Sequence, residues 1–133
     1  MQLDATVGQL LSEHVTSYEQ LETLLLLHAH SERTWTVAQV AEHIRIDDAN
    51  VALALMELCS HQLLERDAGR PVIEYHYNPA NGLLAKAVDL LATAYRDQRL
   101  EIVRLMSANA IERMRSTAAR TFSDAFLLKG KKE

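Results

Sequence analysis

Six histidines, His14, His28, His30, His43, His61 and His76, fall in the first 79 residues together with the single Cys59. Imidazole and thiolate are the side chains from which zinc sites are built, but such a site needs about four ligands converging on one ion. On a helix, His28-x-His30 sends its two rings about 200° apart, and Cys59-x-His61 shares the defect. The expectation is therefore surface or core histidines, with no metal and no cofactor. The sequence also lacks a phosphate-binding glycine loop, a nucleophile motif and a dinucleotide fingerprint, so an enzyme is not expected.

The residues with more to offer lie between Ile46 and Glu65, a stretch without a single Lys or Arg. Taken as a helix, Val51, Leu55, Leu58 and Gln62 share one narrow sector, expected to face a core. Ala49, Leu53 and Ser60 point the other way, flanked by Asn50, Met56 and Glu57. Among these only Asn50 has a side chain able to read a base edge, because a carboxamide pairs bidentately with adenine. Leu53 offers at most contact with a thymine methyl, and Glu57, Asp47 and Asp48 would repel phosphate. An outward Leu53 and Met56 suit an apolar anchor for a protein partner, with Ala49 and Glu57 beside them. The alternatives are scattered exposed apolar residues, or cover by the N-terminal segment of the same chain.

Local signals supply the elements that would position these groups. Asp4 caps a short helix through Val7, Leu10 and Leu11, which Gly8 weakens. Thr16-x-x-Glu19 and Ser17-x-x-Gln20 both match a capping box opening a helix through Leu21, Leu24, Leu25 and His28. Arg33-Thr34-Trp35 reads as a short extended piece before a further capping box, Thr36-x-x-Gln39, and a helix with Val37, Val40, Ala41 and Ile44 inward. The next helix, third of this unit, starts at Asp47 or Asp48 and ends near His61. Leu63–Asp67 and Val72–Tyr77 have strand composition and are joined by Ala68-Gly69-Arg70-Pro71, which makes a two-stranded wing.

The run from Thr36 to Ile44, the turn at Arg45-Ile46-Asp47, the run from Asp48 to Leu58 and Leu63-Leu64-Glu65-Arg66 resemble the MarR-like winged-helix regulators of bacteria over residues 17–78. The resemblance implies a mainly α fold, three helices plus a two-stranded wing, in a dimeric DNA-binding transcription regulator. In MarR-like proteins the outward residues near the start of the third helix are commonly Ser, Thr and Arg; Ala49, Asn50, Ala52 and Leu53 stand there in this chain. If double-stranded DNA is bound, Asn50, Arg66 and Arg70 are the candidate contacts, since a wing-tip arginine enters a minor groove.

Charge runs against nucleic acid. Up to Pro79 four arginines, Arg33, Arg45, Arg66 and Arg70, oppose twelve acids, a net −8, and from Ala80 onward ten basic residues oppose six acids, a net +4. A face that meets phosphate concentrates positive charge, yet the winged unit is the acidic half. The reading is a homodimeric winged-helix regulatory protein whose third helix meets a regulatory protein partner, with DNA binding as the alternative.

Two units are expected, 1–79 for the winged unit with its N-terminal extension and 80–133 for a long C-terminal helix and basic tail. Asn78-Pro79 supplies an N-cap and a proline at the first helical position, and the run continues to about Ser116. A helix of about 36 residues reaches roughly 54 Å, beyond one small unit. Leu84, Val88, Leu91, Tyr95, Ile102 and Leu105 form its apolar stripe, expected to pair with a second copy. The alternative is a break near Asp97 or Ser107 and a fold back onto the chain's own core. Ser123–Leu128 beside Lys129–Lys132 either docks on the acidic half or is a solvated tail. The longest purely apolar run, Leu24–Leu27, is too short for a bilayer, and one cysteine fits a reducing compartment, so a soluble cytoplasmic protein without membrane contact is expected.

Overall fold

The computed structural model describes residues 3–131, with side chains through residue 125. Helix α1 (Ala5–Glu13) starts where the Asp4 carboxylate accepts the amide of Thr6 at 2.8 Å, and it buries Val7, Leu10 and Leu11, the i, i+3, i+4 face. Gly8 sits opposite α6: a Cβ there would meet only a Leu105 methyl at 4.0 Å, and its φ is not positive. Gly8→Ala is therefore expected to stabilise the protein by about 0.5–1 kcal/mol through reduced unfolded-state freedom, read from the urea midpoint.

Helix α2 (Tyr18–Ala29) is capped by Ser17, whose hydroxyl accepts from Gln20 N at 3.1 Å, while the Gln20 carboxamide oxygen accepts from Thr16 N at 2.9 Å. Of the two capping boxes in the sequence, the Ser17–Gln20 frame is the one used. Helix α3 (Val37–Ile44) has the full reciprocal box between Thr36 and Gln39. Arg45 then ends it in the left-handed region, at φ 60° and ψ 45°. Helix α4 (Asp48–Ser60), capped by Asp47, lies on α2 and α3 through Val51, Ala54, Leu55 and Leu58. Gln62, expected on the core face of this helix, is instead exposed at φ 64°: the helix has already ended at His61, and Leu63 N bonds back to Leu58 O at 3.0 Å.

Strands β1 (Leu64–Asp67) and β2 (Glu74–Tyr77) pair antiparallel, with Arg66 opposite Tyr75. Trp35 adds a third edge through two bonds with Tyr75, at 2.8 and 2.7 Å. The wing is thus hinged on the segment before α3.

Helix α5 (Gly82–Asp97) does not start at Asn78-Pro79. Asn78 is spent on the wing, donating its amide N–H to Leu63 O at 3.2 Å and its side-chain N–H to Glu65, and Asn81 caps the helix instead by accepting from Leu84 N at 2.9 Å. The continuous 36-residue helix is also corrected: the chain breaks at Gln98, and α6 (Arg99–Lys131) begins there. Neither Pro nor Gly marks the break. It turns α6 back so that Ile102 is completely buried and Leu105 and Met106 pack on the core beside α1. One apolar cluster runs from Val7 through Leu21, Leu55 and Leu91 to Ile102. Among the described residues no helix is long and apolar enough to cross a membrane.

Candidate interaction surfaces of the third helix, the wing and the last helix

The outward face of α4 is open. Ala49, Asn50, Leu53, Met56, Glu57 and Ser60 are all exposed, Leu53 to 54% and Met56 to 58%. Among the described residues the N-terminal segment does not cover them: α1 packs on α5 and α6. Beneath Leu53 a recess of about 230 Å3 is lined by Ser17, Glu19 and Gln20 of α2 together with Asn50, Ala54 and Glu57. Gln20 is buried and donates to the Glu57 carboxylate, so the start of α2 holds the outer acid of α4 in place. Sequence reading missed Gln20 as part of this surface; its capping box was visible, but the second use of the same carboxamide, across 37 positions, was not.

Asn50 is not poised over a groove. Its side-chain amide donates to Asp47 Oδ1 at 2.7 Å and its backbone amide to Asp47 Oδ2 at 3.2 Å. These bonds, the side-chain one first, hold the Asp47 carboxyl below the ordinary carboxylate range. The cap is therefore charged at neutral pH, and its contribution fades only as acid protonates it. To read adenine, the Asn50 side chain would have to release Asp47 Oδ1.

The wing is equally self-contained. Arg70 lies 3.4 Å from Asp67 and 3.4 Å from Glu74, while Glu65 faces His76 at 3.8 Å. Arg66 is exposed on β1, and no ion pair involves it among the described residues. One of the two wing arginines is thus screened by two carboxylates. The structure brings Ala49, Asn50, Leu53, Met56 and Glu57 onto one face; Arg66 and Arg70 lie on the wing.

The stripe expected to pair two copies is placed differently. Val88, Leu91 and Ile102 are fully buried within their own chain, Leu84 and Leu105 are half-buried against the same core, and the Tyr95 hydroxyl donates to Glu22 of α2 at 2.7 Å. These residues hold α5 and α6 to the first helices. The outer face of α6 carries a second stripe, Leu100, Val103, Ile111 and Met114, all exposed and within about 80° of one another on the helix. From Ile111 to residue 125 every side chain of α6 is exposed. The alternation of inner Ile102 and Leu105 with outer Leu100 and Val103 was present in the sequence, but the stripe expected from it contained only the inner pair. The tail contact expected of Phe122–Glu133 falls mostly outside the described side chains.

Sequence neighbours among the histidines part company: the His28 ring bonds Asp89 at 2.8 Å, while His30 lies against Trp35 and His43. Distant ones meet, with His14 and His61 facing each other Nδ1 to Nδ1 at 3.1 Å. Cys59 is half-buried, and burial pushes its thiol up.

No protein-family model and no curated protein matches this sequence. Solved structures do. MepR of Staphylococcus aureus, a transcription regulator of the multidrug efflux pump MepA, is similar at 21% identity and a TM-score of 0.53, covering 91% of this chain and 88% of that one. The S. aureus MepR–DNA complex is similar at 20% identity and 0.54 over 91% and 86%. A MepR point mutant bound to an oligodeoxyribonucleotide gives 20% and 0.53 over 91% and 88%. At this identity the likeness shows the fold: this chain has the winged helix of MarR-like proteins, with the helices before and after it included.

Proposed function

We propose that this chain is a winged-helix regulatory protein, homodimeric through α6, whose α4 face docks on a protein. The exposed Leu53–Met56 pair, set among Asp48, Glu57 and Glu19 with no Lys or Arg from Ile46 to Glu65, carries the reading. An apolar pair of this kind gains free energy by leaving water, whereas placing these carboxylates against a phosphate backbone is repulsive. The partner surface it fits is apolar with basic residues around it. The outer stripe of α6 supports the dimer: Leu100, Val103, Ile111 and Met114 are exposed on one side of the helix, and a second copy supplies the same stripe to cover them.

One observation favours a second reading. MepR, similar in fold over nine-tenths of this chain, has been crystallised on DNA. A repressor of that kind would use Asn50, Arg66 and Arg70, which here are respectively tied to the α4 cap, exposed, and flanked by two acids.

Fluorescent duplex DNA and a photo-crosslinking residue at position 56 separate the two. The expected result is no salt-sensitive duplex binding even at low ionic strength, and a discrete protein cross-link in cells that Leu53→Glu removes by at least about tenfold, as burying a new charge costs several kcal/mol. Tight duplex binding that falls with salt and with Arg66→Ala would establish the repressor reading instead.

A further inference from the structure

Two of the four basic residues in the acidic half, Arg33 and Arg45, line one open recess of about 570 Å3 along the outer flank of α3. His30 and His43 complete its basic lining, and Glu42 is its one acid. Arg33 is held before any ligand arrives. Its guanidinium carbon lies 3.7 Å from the centre of the Trp35 ring, its Nε donates to Thr34 O at 3.2 Å, and an Nη donates to Gln39 Oε1 at 3.2 Å. A guanidinium has five N–H donors, so three remain beyond these two bonds. Arg45 reaches the recess from a left-handed backbone, φ 60°, a conformation glycine would take at less cost. Trp35, buried beneath, keeps an indole N–H without an acceptor. Strain and a pinned cation in one place are what a pre-organised anion site shows.

We infer that this recess binds a small phosphate-bearing ligand. Two guanidiniums match the charge of a phosphate dianion, and their planar forks match its oxygens. Of the two wing arginines Arg70 is already shared between two carboxylates and Arg66 stands apart on β1, whereas the recess along α3 brings two guanidiniums to one cavity. The inference is independent of whether α4 meets protein or DNA.

Trp35 is the only tryptophan, so its emission reports on the site without a label. Titration of the full chain with inorganic phosphate and with pyrophosphate, at ionic strength held constant with sodium chloride, is expected to give a saturable change. Arg45→Gly is expected to weaken that binding at least about tenfold while raising the Tm by a few degrees, because glycine relieves the left-handed residue. A folded, more stable variant keeps the loss interpretable. Calorimetry repeats the measurement for Arg33→Lys, whose point charge lacks the planar fork, and is expected to show weakened binding as well. A change no larger than chloride alone produces overturns the inference. So does binding of duplex DNA with the same Arg45 dependence while both small anions fail, since the recess would then serve a nucleic-acid backbone.

Discussion

Ile102→Ala is expected to lower the unfolding free energy by about 2–5 kcal/mol, the cost of removing a fully buried branched side chain and leaving a cavity. Ile102 is completely buried inside one chain, where α6 turns back after Gln98 beside α1. The loss should therefore be the same at widely different protein concentrations, because the contacts removed are intrachain. Urea unfolding at two concentrations measures it, and an unchanged slope would show that stability alone has moved. Were α5 and α6 one continuous rod with Ile102 on a seam between copies, the same substitution would weaken assembly and its cost would depend on concentration. A concentration-dependent effect would thus return the fold-back to question.

How far the sequence reached follows from the range of the interactions involved. Asp4, Ser17, Thr36 and Asp47 are all N-caps in the structure, and each was legible because a cap closes over two or three residues. The wing was legible for the same reason: its strands flank a short turn, and only the share taken by Trp35, forty positions from Tyr75, lay beyond local reading. Asn78-Pro79 carried a stronger local signal for a helix start than Asn81, yet the wing claimed Asn78 through Leu63 and Glu65. That competition is tertiary. The outward placement of Leu53 and Met56 followed from helical periodicity alone, but the locking of Asn50 onto Asp47 needed rotamers, and the recess along α3 needed Arg33 and Arg45 brought together from opposite ends of a helix.

Helix α6 carries two apolar sides with different tasks. Its residues near 100–106 are apolar on two sides: Ile102 and Leu105, the pair expected to meet a second copy, hold the chain together, and Leu100 and Val103 are the side left open. From Ile111 to residue 125 the side chains of α6 are exposed, and Arg113 donates to Thr16 O at 3.1 Å.

The double variant Ile111→Glu, Met114→Glu is expected to convert the dimer proposed through α6 to a monomer, halving the mass found by sedimentation or light scattering. Both side chains are exposed in the chain itself, at 50% and 69%, so the fold around Ile102 should survive the change. In a pair of α6 helices the four new carboxylates would be driven out of water against one another, which costs far more than the apolar contact they replace. A second signal should accompany the first. A helical stretch of this length is marginal in water without a partner, so the monomer should lose part of its helical circular dichroism while keeping a cooperative thermal transition from the core. An unchanged mass would show that the outer stripe is not where two copies meet. Loss of mass without loss of helix would mean that α6 keeps its helical form once the copies part.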